Sequence, residues 1–284
     1  MAHASHPESP APEAPKNLGG HEDGFLKTSR TDDWWLGAAL TVAGLGGFAL
    51  YAFLTAWQAS YYVAGPYLSP FNAPLFFVDP NAINGAALEH SWFGAFPSWW
   101  PSFIPMSPAF LCVPLPAMFR GTCYYYRKAY YRAFFGHPSA CAVGPMQYGK
   151  YEGETALLVF QNLHRYAMYL AVGLLFVLFW HVGHAFFYNG QFGIGVGTVI
   201  LLINGLLLSA YTFGCHSWRH LIGGRTDCFS CDPWKHQAWK KSTWFNERHQ
   251  EFAWASLGWF MLTDAYIRLC SMGFIHDLNT WGGF

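Results

Sequence analysis

The chain has 284 residues, of which 53% are hydrophobic, 20% aromatic and only 11% charged. A soluble domain carries about a quarter charged residues, and one soluble core of this length would not hide so much apolar surface. The formal net charge is zero, which removes the electrostatic case for a nucleic-acid partner.

Residues 1–33 are polar and rich in Pro and Ala, with no signal-peptide pattern, so a mobile N-terminal segment is expected there. Residues 34–284 are expected to form the membrane domain. Five windows suit a hydrocarbon core of roughly 30 Å: Leu36–Ala59, Pro105–Phe119 with an aromatic tail to Phe135, Thr155–Phe187, Phe192–Leu221 and Phe252–Phe274. The fold class is therefore an all-α membrane protein of five transmembrane helices. Fourteen of the sixteen Lys and Arg fall in the N-terminal segment and the connections between helices two and three and between four and five. The positive-inside rule then predicts a cytoplasmic N-terminus and an external C-terminus.

The connection after helix one, Tyr61–Ser102, is long, aromatic, Pro-rich and free of basic residues. That composition predicts an external lid at headgroup depth. Pro105, Pro108, Pro114 and Pro116 predict a kinked second helix. Helix three carries His164 and Arg165 at its basic end and His181 and His184 at the other, where no further helix offers a histidine. Residues 192–197, F-G-I-G-V-G, follow no strand, so they read as small residues for close helix approach and not as a dinucleotide loop. Asn204 predicts an interhelical hydrogen bond, residues 222–248 a polar loop, and Asp264 with Arg268 a local ion pair inside the membrane.

The potential metal ligands gather on the cytoplasmic side. They are Cys123, Cys141, Cys215, Cys228 and Cys231, with His137, His164, His216, His220, His236 and His249. Thiols there stay reduced, so disulfides are not the expected explanation. Tyr211–His220, Y-T-F-G-C-H-S-W-R-H, is the densest case, because His216 and His220 share a helix face and Cys215 precedes them. Cysteine thiolate with neutral imidazole suits zinc or a mixed-ligand iron–sulfur cluster. Packing is the simplest account of Cys112, Cys270 and, taken alone, Cys123; Cys141 stays open between the two readings. Cys228-Phe-Ser-Cys231 is a weak signal for a small zinc loop. One inner haem b on two of His164, His216, His220 and His249 is an alternative, as is a non-redox protein with structural zinc.

Six motifs then follow in order: R-T-D-D-W-W-L, P-Y-L-S-P-F, T-C-Y-Y-Y-R-K-A-Y-Y-R, Q-N-L-H-R-Y, Y-T-F-G-C-H-S-W-R-H and Y-I-R-L-C-S-M-G. Over about residues 31–273 the chain resembles the five-helix membrane anchor, SdhC-type and cytochrome b-like, of actinobacterial succinate dehydrogenase. The resemblance implies flavoprotein and iron–sulfur partner subunits, membrane lipid, and electron transfer between succinate and a quinone of the menaquinone class. A higher oligomer of the complex stays open. In the mycobacterial type the resemblance implies a Rieske-type [2Fe–2S] cluster, with two Cys and two His ligands. The Cys-x-His and Cys-x-x-His loops of soluble Rieske domains are not in this sequence. The shortlist is Cys123, Cys141 and Cys215 for sulfur and His216 and His220 for nitrogen, with His164 in reserve. His164, Arg165, Trp218 and His249 are the quinone candidates by depth.

Overall fold

The computed structural model describes residues 24–146, 155–224 and 226–282, side chains 155–161 excepted. Most of the N-terminal segment read as mobile, residues 1–23, lies outside them. Residues that follow it are paired: Leu26 N–H donates to Gly144 O and Gly144 N–H to Lys27 O.

The fold is helical. Helix α1 spans Leu36–Gln58, α2 Ala109–Cys112, α3 Pro114–Gly121, α4 Tyr124–Phe134, α5 Thr155–His184, α6 Val196–Phe213, α7 His216–Gly223, α8 Pro233–Glu247 and α9 His249–Ser271. Two short hairpins, β1–β2 (Val63–Ala64 with Tyr67–Leu68) and β3–β4 (Phe187–Tyr188 with Gln191–Phe192), cap the end away from the basic connections. Among the described residues three helices are long and apolar enough to cross a membrane: α1, α5 over Asn162–His184, and α6. Helix α9 is long enough but too polar by composition, because Glu251, Asp264 and Arg268 lie in it.

The second helix is broken, as its prolines predict, and short. Ala109–Gly121 reaches only about 20 Å at ~1.5 Å per residue, against roughly 30 Å of hydrocarbon. The connection after α1 fills the gap. Its first part is not a surface lid, since Tyr62, Tyr67, Ser69, Phe71, Asn72 and Val78 are fully buried, whereas Trp92, Phe93 and Trp99 farther along are exposed. Phe71 packs 4.7 Å from Phe260 of α9 and 5.8 Å from Phe48 of α1. The run of aromatic residues reads as interfacial, but these rings have a helix-lined hole to occupy, and burying an aromatic ring outweighs headgroup contact. Irregular backbone at that depth survives only when other protein groups partner it.

Those partners are buried charges. Arg268 donates to Asp264 at 2.9 Å, and Asp264 also accepts from Tyr51 of α1 at 2.6 Å and from Ser69 of the connection. Arg268 donates further to the Ser60 carbonyl and Gln58. The expected ion pair is therefore a clamp joining α1, α9 and the buried connection. A second carboxylate, Asp277, accepts from Tyr67, Tyr266 and the Gly197 amide at the start of α6. A methyl group on Gly195 or Gly197 would lie 2.2–2.3 Å from Tyr67 or Asp277. The glycines thus admit a ring and a carboxylate, not a neighbouring helix.

Two further expectations change. Residues 233–247 form α8, not a loop: Asp232 caps it by accepting from Lys235 N–H, with Pro233 at the first turn. Asn204 is fully buried with neither amide atom partnered among the described residues, so it forms no interhelical hydrogen bond there.

Replacing Asp264 by Asn leaves the Arg268 charge buried without its counter-ion, which costs about 3–5 kcal/mol in such settings. Thermal unfolding of the detergent-solubilised protein should show a clearly lowered midpoint. An Asp264→Leu/Arg268→Met double variant should recover much of the loss.

Candidate metal centre and its pocket

Two helix breaks build the site. Helix α3 ends at Gly121, and Cys123 adopts an extended conformation (φ −67°, ψ 131°) before α4 begins. Helix α6 ends at Phe213, and Cys215 adopts the same conformation (φ −64°, ψ 142°) before α7 begins. The predicted continuous fourth helix is therefore interrupted at its most ligand-rich point. Gly214 permits the break, since a Cβ there would lie 2.9 Å from the Phe245 carbonyl of α8. Each cysteine precedes a new helix. The Ser217 amide points at Cys215 Sγ at 3.4 Å.

Two imidazoles meet these thiols. His164 Nε2, one turn inside the apolar part of α5, lies 2.9 Å from Cys215 Sγ. His249 Nε2, the first residue of α9, lies 3.5 Å from Cys123 Sγ. Cys123, Cys215 and His164 are buried and His249 is half-buried. The imidazoles are held by stacking. His164 lies flat on Phe119 at 4.8 Å, and His249 on Tyr211 at 4.8 Å. Thr122 Oγ1 lies 2.9 Å from the other nitrogen of His164. The corresponding nitrogen of His249 has no partner among the described residues.

All four side chains line one cavity of about 680 Å³, with His216, Asn246 and Glu247 also in its wall. Burial pushes the Cys215 thiol up to about 11, overriding the Ser217 and Trp218 amides that favour its ionised form. Without a cation this site holds a neutral thiol, and metal binding would release its proton. Among the described residues no three His, Cys, Asp or Glu side chains stand close enough to share a single ion. The donors form two Cys–His pairs.

Beneath the imidazoles sits Arg120. Its guanidinium lies 4.5 Å over the Tyr211 ring and donates to Tyr126 Oη at 2.6 Å, Ser256 Oγ at 2.8 Å and the Ala253 carbonyl at 3.1 Å. It has no carboxylate partner among the described residues. It also borders an apolar cavity of about 420 Å³ between α1 and α2–α3, lined by Phe48, Ala52, Phe110, Val113 and Ala117.

A family model for the actinobacterial succinate dehydrogenase subunit SdhC matches residues 36–273. The chain belongs to that family. A chain of the Mycobacterium smegmatis Sdh1 complex in the apo form is similar to it, with 40% identity and a TM-score of 0.80. That similarity covers 95% of this chain and 98% of the other. No curated protein matches. As an SdhC-family member, the chain is the membrane subunit of a succinate dehydrogenase.

The sequence shortlist divides on this SdhC-family scaffold. Cys123 and Cys215 come together, joined by His164 and His249 from the quinone list. His216 is exposed at the cavity wall. Cys141 is exposed in the loop after α4, where its carbonyl accepts from Arg30. His220 is exposed on α7 and accepts from Arg165 at 3.1 Å; neither residue lines the cavity. Trp218 packs 4.7 Å from Phe213. Cys228 and Cys231 are joined as a disulfide, against the expectation of reduced thiols, because the turn between them brings their Cα atoms to 5.3 Å. Away from the basic end, His90 of the connection after α1 joins His181 and His184 around a separate cavity. Arg120 was missed as a pocket residue, since in sequence it reads only as the basic end of helix two.

Alkylation of the metal-free native protein at pH 7 should therefore label Cys141 rapidly. Cys123 and Cys215 should remain unlabelled until the protein is unfolded, as read by peptide mass spectrometry.

Proposed function

We propose that this SdhC-family chain anchors flavoprotein and iron–sulfur subunits to the bacterial plasma membrane and conducts electrons to a membrane quinone. In this reading a Rieske-type [2Fe–2S] cluster is held by Cys123, Cys215, His164 and His249. The supporting observation is that two thiols and two imidazoles from four separate parts of the chain converge on one cavity. Two Cys and two His are the donor set of such a cluster. When bound, it would supply one-electron transfer between the partner subunit and the quinone.

The chain's own residues set the conditions. Phe119 and Tyr211 hold the imidazole planes and wall the donors off from the apolar interior. At the start of α7 the Ser217 amide points at the Cys215 sulfur. The apolar cavity between α1 and α2–α3 takes the quinone ring, and Arg120 donates a hydrogen bond to its oxygen and stabilises the negative charge that reduction brings.

Five crossings complete the proposal: α1, α2–α3 with the buried connection, α5, α6 and α9. Helix α9 crosses despite Asp264 and Arg268 because both are satisfied within the protein. The Lys and Arg distribution puts the basic end, with the N-terminus, in the cytoplasm.

Low-temperature electron paramagnetic resonance of the reduced complex tests the cluster. A signal with average g below that of all-cysteine clusters is expected. Cys123→Ser and Cys215→Ser should abolish it, while Cys141→Ser and His220→Gln should retain it. A haem Soret band, or zinc without iron, would overturn the reading.

Arg120→Gln tests the pocket. Expected is at least a tenfold rise in the KM for a soluble quinone, the order of ~1.4 kcal/mol for one lost charged hydrogen bond. Succinate oxidation with an artificial acceptor at the flavoprotein should be unchanged.

A further inference from the structure

The two imidazoles of the site are not equivalent, and the difference lies with Thr122. This threonine ends α3, one residue before Cys123, and is buried. Its hydroxyl carries one proton. Oγ1 lies 2.7 Å from the Met118 carbonyl, one turn back, and that carbonyl can only accept. The hydroxyl proton goes there, in the ordinary back-bonding geometry of a helical threonine. Only lone pairs then remain for His164 Nδ1 at 2.9 Å, so that nitrogen is the one that bears hydrogen and donates. The Nε2 lone pair is left free, and it faces Cys215 Sγ at 2.9 Å. His249 lacks this arrangement, since its Nδ1 is buried with no hydrogen-bond partner among the described residues.

We infer that Thr122 is a positioning residue that fixes His164 as an Nε2 donor and, through the Nδ1–H···Oγ1 bond, makes it the more strongly electron-donating of the two imidazoles. A hydrogen bond from the remote N–H of a metal-bound imidazole raises ligand basicity, and its removal typically costs 10–100-fold in metal affinity. Phe119 fixes the plane of the ring by stacking, and its backbone carbonyl is a further acceptor for the imidazole. Thr122 supplies the side-chain acceptor at 2.9 Å, and its chain neighbour Cys123 carries one of the sulfurs, so one turn of backbone places a donor and orients another. The inference rests on the cluster reading proposed above.

The test uses the assembled complex with Thr122→Val, which keeps the shape and removes the acceptor, and Thr122→Ser, which restores it. T122V should assemble, hold iron 10–100-fold less tightly against a chelator, and show shifted g values and a raised midpoint potential. T122S should match the wild type in all three. A T122V cluster with wild-type g values, potential and iron retention would overturn the role of Thr122. So would a T122S cluster as altered as that of T122V. Pulsed resonance on the unmutated complex supplies a readout independent of folding: the remote nitrogens of the two ligating imidazoles should differ in quadrupole coupling, and identical couplings would overturn the inference. Absence of any mixed-ligand signal in the wild type would instead sink the cluster reading itself.

Discussion

Everything at the basic end follows from two interruptions in otherwise apolar helices. A continuous helix satisfies its own backbone and presents side chains sideways; a helix that stops and restarts frees amides and carbonyls that need new partners. At Cys123 and at Cys215 the restart is stepped through one extended residue, and at Cys215 the sulfur caps the new helix by accepting from the Ser217 amide. A thiol is a poor cap compared with Ser or Asp. The breaks persist because surrounding contacts fix them: Gly214 fits against the Phe245 carbonyl, Asn246 donates to the Gly214 carbonyl at 2.8 Å, and Thr122 bonds back to Met118. Local stability is given up to bring soft donors inward, and tertiary contacts offset the loss.

The opposite end solves a different problem by similar means. A second helix too short to cross leaves a hole, and the connection after α1 fills it with rings whose backbone would otherwise be stranded away from water. Asp264 and Asp277 each gather donors from distant parts of the chain, so two carboxylates fix irregular backbone against regular helices. Neither carboxylate lies near the Cys/His cavity. One end of the bundle is thus organised by anions that hold structure, and the other by thiols, imidazoles and an arginine without an acid partner.

Composition and periodicity made the helical membrane architecture legible, as did the crowding of Cys and His at one end and the Asp264–Arg268 pair. The four convergent donors were all visible as candidates, but the split between them was not. His164 and His249 looked like quinone contacts because depth along a helix was the only coordinate available. His216 and His220 read as ligands from their four-residue spacing, and both lie on α7. Once the helix restarts after Cys215, His216 turns toward the cavity rim and His220 toward Arg165. The burial of Tyr62–Val78 in the connection after α1 was equally hidden, since an interfacial aromatic belt and a plug of aromatic rings have the same composition. Helix α8 was obscured by its low hydrophobicity, although Asp232 and Pro233 spell a helix start.

The position of Arg120 ties the two chemistries together. Arg120 is half-buried, and leaving a guanidinium there without a carboxylate is costly unless neutral acceptors and ring faces surround it. Here Tyr126, Ser256, a carbonyl and the Tyr211 face do so. A carboxylate partner would quench the field, whereas neutral partners satisfy the hydrogen bonds and leave the positive potential in place. That potential falls on the thiol–imidazole cavity on one side, across the Tyr211 ring, and on the apolar cavity on the other. Negative charge at either place would be stabilised by the same fixed cation, with little reorganisation.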